Sequence, residues 1–409
     1  MAEPLYLTAS EAAAELGVGR ATLYAYVSRG MIRSEPLGDG RRRRYWAEDV
    51  RALLDRRNRR QDPEAIAGAA LDFGTPVLES AITLIDGKGL YYRGRDAVRL
   101  AQHASLESVA TLLWQDDGDG DDPFAAAADM PDIVQSLCPA IEPLGPIERC
   151  MTVLPTAAGI DLQAFAQQGH AVRRTGARLL RLIAAAVVAA SPSTRPVHRV
   201  LGQGWDIDDK AADLVRAALV LCADHELNAS AFTVRCAAST GSNLYHVVAA
   251  GMAALAGPRH GGLTARVDAM LREFDQVGDV ASALSARVRR GDGLPGFGHP
   301  LYPEGDPRAR ALLDLLAAGY PDHPALSRGT ATIRAAQDLT GAAPNLDLAL
   351  ALLGRVVGLP TDAGIAIFAA GRSVGWIGHA LEQYSTRRLI RPRARYVGLP
   401  PGTAPSDGI

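Results

Sequence analysis

The sequence predicts a mainly α-helical protein with a small basic unit at its N-terminus. Three observations lead there. Ala-, Leu- and Val-rich segments with helical spacing fill the chain from about residue 98 onward, strand-like alternation is confined to a short stretch, and positive charge gathers at one end. Of the 409 residues, 48% are hydrophobic and 22% charged, an ordinary globular composition. A chain this long is expected to divide into two or three domains, because single cores stop growing earlier. Residues 1–60 hold twelve arginines against eight acidic residues, +4, so the rest of a chain of net charge −2 carries −6. That balance excludes a protein built wholly to coat nucleic acid and leaves a basic head on a mildly acidic body.

The elements follow in order. Thr8 or Ser10 stands ahead of an Ala-rich stretch ending near Leu16, with Glu11 in the first turn where the helix dipole favours an acid. Gly17-Val18-Gly19 interrupts it, and Arg20–Arg29 resumes helical spacing with Leu23 and Val27 on one face, a helix-turn-helix pattern. Asp39-Gly40 is a hairpin turn signal, and the four arginines after it predict a basic two-stranded wing. Glu48–Arg60 reads as a third helix, and Gln61-Asp62-Pro63 marks a boundary. Helices are then expected over 98–114, 172–190, 211–223, 244–256, 277–288, 309–318, 347–357 and 363–384, with no internal repeat. One hairpin is expected, Ala81–Ile85 with Leu90–Arg93. The acidic run 116–122 lacks the spacing and closing Glu of a calcium loop and reads as a solvated loop.

Cys138, Cys150, Cys222 and Cys236 lie far apart, which suggests neither a disulfide framework nor a zinc site but core thiols in a reducing compartment. The first residues lack a basic region followed by an apolar core, and no apolar run reaches the length of a membrane span. The expectation is a cytoplasmic protein without a metal.

The chemistry gathers in loops. His225, His260 and His299 each sit in a Gly-, Pro- or Asn-punctuated segment between helices. Loops of that kind let backbone approach a ligand closely. One such histidine is an ordinary hydrogen-bonded side chain; three together point to function. Asn345 is a good N-cap and puts Asp347 in the first helical turn, where the dipole favours an ionised carboxylate fit for a general base. As a favourable first-turn acid, Asp347 has an equally simple structural reading. Asp306-Pro307 has the order of an N-cap and first helical residue, so Arg308 projects from a helix start. Arg372 lies among glycines in a helical segment and Arg391 near the C-terminus. Guanidinium groups are the usual bidentate partners of carboxylates, but among 41 arginines and only two lysines, Lys88 and Lys210, a single arginine is a poor clue.

These segments resemble the signatures of the citrate synthase family. HELNASAFTVRCAASTGSNLY, GPRHGG, GFGHPLYPEGDPRA, PNLDLAL, FAAGRSVGWIGHALEQ and RLIRPRARYVG occur in the family's order, and the likeness runs from about residue 75 to 400. The resemblance implies a helical homodimer, or a higher even oligomer. Its large domain, residues 61–257 and 359–409, and an inserted small domain, residues 258–358, close over oxaloacetate and an acyl-CoA. It implies that His260 polarises the thioester carbonyl, Asp347 removes the acyl α-proton, and His299 serves the oxaloacetate keto oxygen. His225, Arg308 and Arg372 would bind the substrate carboxylates, with Arg391 reaching in from the other subunit. Acetyl-CoA is the expected acyl donor, with 2-methylcitrate from propionyl-CoA as the variant; CoA enters as a substrate thioester, and no other cofactor is implied. Glycines 257, 261, 262, 296 and 298 offer places for the closing motion.

The chain also departs from the family. Pro300 and Pro303 follow His299 where basic residues are common, which removes charge expected beside the CoA phosphates. Leu263-Thr264 replaces the usual Ala-Asn after the His260 glycines, and the common Ser-Gly after Asp347 is missing. Residues 1–60 resemble a MerR-like or excisionase-like winged helix instead. That likeness implies DNA contact through Arg20, Thr22, Tyr24 and Tyr26 on the recognition helix and through Arg41, Arg42, Arg43 and Arg44 in the wing. The alternative function is a transcriptional regulator whose enzyme-like body senses metabolites without turnover.

Overall fold

The structure, a computed structural model, describes residues 6–36, 43–51, 53–54, 77–87, 89–115, 122–125, 131–167 and 169–400. It contains two compact units, Met1–Glu79 and Ser80–Ile409.

The first unit is a small sheet on a helix pair. Strand β1 (Tyr6–Thr8) leads into α1 (Ala9–Glu15), α2 (Arg20–Ser28), β2 (Ser34–Pro36) and β3 (Arg43–Trp46), and β3 lies between the other strands, antiparallel to both. Thr8 starts α1 through a reciprocal cap: its Oγ1 accepts from Glu11 N–H at 3.3 Å, and Glu11 Oε2 accepts from Thr8 N–H at 2.7 Å. Gly17 takes φ +60° between the helices, the left-handed turn that the sequence puts there. Leu7, Ala12, Leu16, Leu23, Ile32, Tyr45 and Val50 form the core, with Val27 packed at its edge. The expected third helix is seen at residues 47–51 and 53–54; residues 55–60 and the Asp39-Gly40 turn lie outside the described residues.

The second unit is helical apart from a small sheet. Strands β4 (Thr83–Ile85), β5 (Leu90–Tyr92) and β6 (Arg95–Asp96) pair antiparallel in that order, so the expected hairpin gains a short third strand. The left-handed pair Arg93 and Gly94, φ +44° and +77°, makes the tight return. Then come α3 (Ala97–His103), α4 (Leu106–Leu113), α5 (Asp132–Ile141), α6 (Pro146–Ala158), a 3-10 turn (Leu162–Phe165), α7 (Gly169–Val187), α8 (Val197–Gly204) and α9 (Asp209–Cys222). They are followed by α10 (Ala229–Ser239), α11 (Leu244–Leu255), α12 (Leu263–Asp275), α13 (Val280–Arg289), α14 (Pro307–Gly319), α15 (Pro324–Thr340), α16 (Leu346–Val357) and α17 (Ala363–Thr386).

The single helix expected over 98–114 is two. Ser105 caps a new helix by accepting Ser108 N–H at 3.1 Å. The buried Arg216 donates to the carbonyls of Ala101, Gln102 and Ala104, satisfying the end of α3 from outside the helix. The helices α5, α6, α8, α10, α12 and α15 were not expected. Two of them contain a proline in their interior, Pro139 in α5 and Pro155 in α6, and are held by the burial of Val134, Ile141, Val153 and Leu154.

Helix α17 is the spine of this unit. It is buried nearly throughout and packs on α4, α7, α9, α10 and α11, as an all-round apolar helix must. Its glycines permit contact no side chain would allow: a Cβ at Gly375 would lie 2.2 Å from Asp224 Oδ1 and one at Gly371 would lie 2.5 Å from the Leu219 carbonyl. Helices α12 and α14 both pack on α16, and α15 packs on α13 and α16. Among the described residues no helix is long and apolar enough to cross a membrane.

Candidate active site

Two glycine loops are stitched together where the sequence placed its chemistry. Gly298 N–H donates to the Ala343 carbonyl at 2.8 Å, Asn345 N–H to the Gly296 carbonyl at 2.9 Å, and Asn345 Nδ2 to the Gly298 carbonyl at 3.1 Å. Gly296 takes φ +89°, and a Cβ there would press on Val267 and Leu348 at 3.0 and 3.1 Å. The loop carrying His299 is thereby fixed against the start of α16. Asp306 adds a second stitch: it caps α14 by accepting Arg308 N–H at 3.0 Å, and its Oδ2 accepts Leu346 N–H from α16 at 3.1 Å. Asn345 caps α16 as expected, its Oδ1 accepting Asp347 N–H at 3.1 Å.

Asp347 accepts one side-chain bond, from Thr264 Oγ1 to its Oδ1 at 3.0 Å. Burial pushes its pKa up to about 6, against the opposing pull of Thr264 and Arg308. Desolvation outweighs the first-turn position that favours the ionised form, and the carboxylate remains mostly ionised at neutral pH.

His225 sits in a turn bent by Glu226 at φ +55°, with Asp224 Oδ2 accepting Glu226 N–H at 3.0 Å. Its Nε2 lies 3.0 Å from the Tyr302 hydroxyl. The His299 ring stands edge-on to it at 5.1 Å and 4.9 Å from the Tyr302 ring. His299 Nδ1 accepts Leu301 N–H at 3.2 Å, so the ring proton belongs on Nε2. His260 approaches Phe368 edge-on at 5.8 Å, and its Nε2 is 2.8 Å from Ser230 Oγ. Burial drives the pKa of His260 and of His299 down to about 4, with Arg372 assisting at the first and Arg308 at the second. Burial, then Arg308 and Arg372, holds His225 well below its ordinary value. All three imidazoles are neutral at pH 7.

The two guanidinium groups differ. Arg308 is bidentate on Asp306, at 2.9 and 2.8 Å, with both side chains buried; burial works against its charge, and Asp306 more than offsets that and raises its pKa. Arg372 is 1% exposed, spans 4.8 Å to the Phe368 ring, and donates Nε to the Cys222 carbonyl at 2.8 Å, while its Nη2 has no partner among the described residues. Burial lowers its pKa, although Asp224 pulls the other way. A buried cationic N–H without an acceptor is the kind of vacancy a carboxylate fills.

His225, His299 and Arg308 thus gather around Tyr302, and His260 and Arg372 meet at Phe368. Asp347 joins them through Arg308 and Arg372, both of which act on its charge. Arg391 is not brought into that set by this chain; it lies on the exposed stretch beyond α17. Sequence reasoning missed Tyr302 and Ser230, and noted Thr264 and Asp306 without placing them in the site. Only Asp306 carried a local signal, as an N-cap before Pro307. Among the described residues no group of His, Cys, Asp and Glu side chains could hold a metal ion.

In the first unit, Arg20 and Thr22 are exposed and Tyr24 is 51% exposed on α2, whereas Tyr26 packs against the small core. Arg43 donates Nε to Ser34 Oγ at 2.9 Å. Arg44 is paired with Glu35 at 2.9 Å and stacked 4.0 Å from the Tyr6 ring, so it is already engaged within the unit. Arg41 and Arg42 lie outside the described residues.

Comparison with known proteins agrees with the two-unit division. Residues 70–393 match the citrate synthase C-terminal domain family, and residues 6–58 match a helix-turn-helix domain family. The chain is 32% identical to citrate synthase of Haloferax volcanii over 357 residues, covering 80% of this chain and 94% of that one. It is 29% identical to 2-methylcitrate synthase of Shewanella oneidensis over 377 residues, covering 83% and 97%. The crystal structure of citrate synthase from Thermotoga maritima superposes with a TM-score of 0.68 at 25% identity, over 80% of this chain and 94% of that one. A ternary complex of citrate synthase from Thermoplasma acidophilum with carboxymethyl coenzyme A and oxaloacetate shares the fold at TM-score 0.68 and 24% identity.

Proposed function

Because the chain belongs to the citrate synthase family, we propose that it condenses oxaloacetate with an acyl-CoA, acetyl-CoA first, and hydrolyses the thioester to citrate and CoA. The observation that carries the reading is Arg372, a buried guanidinium with an unpartnered Nη2, coupled to a buried carboxylate base and to neutral imidazoles. Asp347 takes the α-proton of the acyl group; the C–H pair becomes the C=C of an enolate, and the thioester oxygen gains charge. That proton is weakly acidic, so the oxyanion must be stabilised as the base acts. His260 does this. The Ser230 hydroxyl, which accepts from Trp376 Nε1 at 3.1 Å, lies 2.7 Å from Asn228 Oδ1 and 2.8 Å from His260 Nε2, and in the reacting arrangement its proton turns to His260 Nε2. The imidazole proton then sits on Nδ1, ready for the thioester oxygen.

The enolate carbon attacks the oxaloacetate keto carbon, whose oxygen receives the Nε2–H of His299. His225, Arg308 and Arg372 hold the two carboxylates and fix the carbonyl for attack. Arg391 completes the set from a second copy of the chain, in a homodimer whose residues 258–358 close on the rest and hold water back until the carbon–carbon bond has formed. Water then cleaves the citryl thioester. The four free cysteines fit a cytoplasmic enzyme.

The test is CoA thiol release from oxaloacetate with acetyl-CoA and with propionyl-CoA, using Asp347→Asn as control. Release that needs both substrates and stops in the variant is expected; no release with either acyl-CoA, or a variant as fast as the parent, refutes the reading. The match of residues 6–58 to a helix-turn-helix family and the exposed Arg20, Thr22 and Tyr24 favour a second role, DNA contact by the first unit. Duplex binding that weakens as salt rises supports it, and binding unchanged in Arg20→Ala and Tyr24→Ala refutes that surface.

A further inference from the structure

Thr264 stands in the first turn of α12, 4% exposed, with one hydroxyl proton and two acceptors. The Gly261 carbonyl and Asp347 Oδ1 each lie 3.0 Å from its Oγ1. The carboxylate is the stronger acceptor while ionised. The methyl group is wedged as well: a Cβ at Gly364, the second residue of α17, would come within 2.5 Å of Thr264 Cγ2. Glycine at 364 therefore gives the threonine its seat. Among the described residues Asp347 Oδ2 receives no donor.

We propose that Thr264 is the positioning residue of the base: it ties down Oδ1, orients the carboxylate plane, and leaves Oδ2 as the oxygen that takes the substrate proton. The inference rests on the condensing-enzyme reading above and deepens it. As Oδ2 gains the proton, Oδ1 becomes a neutral carbonyl oxygen and a weaker acceptor. The threonine proton then turns to the Gly261 carbonyl, in the backbone of the loop that carries His260. The other groups acting on Asp347 are Asp306 and Arg308 of α14 and Arg372 of α17; the nearby Cys222 thiol at the end of α9 is pushed up to about 12 and stays neutral. Thr264 is the largest influence opposing burial at Asp347.

The experiment compares parent, Thr264→Val and Thr264→Ser by kcat/KM against pH. It also follows the Asp347 carboxyl by 13C NMR titration, assigned with Asp347→Asn. Removing a hydrogen bond to a charged group raises a carboxyl pKa by about one unit or more. The valine variant should therefore lose about fivefold or more at pH 6, approach the parent well above pH 8, keep its KM for oxaloacetate, and titrate higher at Asp347. Serine should restore both profiles. A valine profile that overlies the parent, a loss equal at every pH, or a serine variant as poor as valine overturns the proposal. A parent that releases no thiol refutes the condensing reading instead, and the NMR titration then still decides whether Thr264 holds the carboxylate.

Discussion

Replacing Arg372 by methionine should move stability and binding independently. Among the described residues the guanidinium makes one hydrogen bond, Nε to the Cys222 carbonyl, and leaves Nη2 buried without a partner. Methionine forfeits that bond, about 1 kcal/mol, and relieves an unpaired buried donor whose cost is about 1–3 kcal/mol. The two nearly cancel. Asp224 keeps its neighbour, since His379 Nε2 lies 3.3 Å from Oδ1. At roughly 2.1 cal/mol/K per residue, a helical body of this length shifts its midpoint by about 1.4 °C per kcal/mol, so the melting temperature should stay within about 3 °C of the parent. Binding behaves differently. A charge-assisted bond from Nη2 to an oxaloacetate carboxylate is worth about 1.5–3 kcal/mol, or about 10- to 150-fold in KM. Oxaloacetate at 100 times its Kd adds about 2.7 kcal/mol, hence about 4 °C, to the parent and should add only about 0.3–1.4 kcal/mol, at most about 2 °C, to the variant at the same concentration. Thermal melts with and without oxaloacetate, beside the thiol assay, decide the matter. A variant that melts more than about 8 °C lower yet keeps the parental KM would make Arg372 a strut, and the carboxylate argument would fall.

Asp347→Asn should abolish turnover and raise stability at pH 7. A carboxyl whose folded pKa, about 6, lies above the ordinary 3.8 favours folding only below its unfolded value and loses that contribution as pH rises through 6. The gain should be on the order of 2 kcal/mol at pH 7 and vanish near pH 4, as read by urea titration at both pH values. Activity of the parent should fall with a midpoint near pH 6, set by Asp347, because His260 and His299 stay neutral down to about 4; a midpoint near 4 in kcat/KM would reassign the base. The depressed imidazoles contribute stability that is complete above their unfolded value of about 6.5 and lost as pH falls through 4, so chemical denaturation should become markedly easier between those limits. Ser230→Ala should lower kcat about 10- to 100-fold with little change in KM for oxaloacetate, since it frees the His260 tautomer without touching the carboxylate partners; steady-state kinetics in which only KM moves would count against it.

Local features were legible in the sequence because their causes are local. Asn345 as cap, Asp347 in the first turn, Asp306 before Pro307 and the Thr8–Glu11 box each depend on residues two or three apart. The helical body was legible from spacing, except where proline or Ser/Thr content masked it, as in α5, α6 and α10. Ser230 beneath His260, Tyr302 beside His225 and Thr264 on Asp347 are 30, 77 and 83 residues from their partners, and no local pattern marks them. The wing arginines show the same limit: composition counts Arg44 as available charge, while the sheet register puts it opposite Glu35.

Residue type and order alone determined that the protein is helical, that a basic helix-turn-helix unit precedes the body, and which histidines, aspartate and arginines are the candidates for its chemistry. The partners of the candidate residues and the directions in which their pKa values move were decided only by tertiary structure. Helix starts and turns are short-range free energies that the chain writes into neighbouring residues. A pKa is set by desolvation and by charges that arrive from elsewhere in the chain, as Asp347 shows: its neighbours promise a low value, and the burial that α12, α14, α16 and α17 create together raises it.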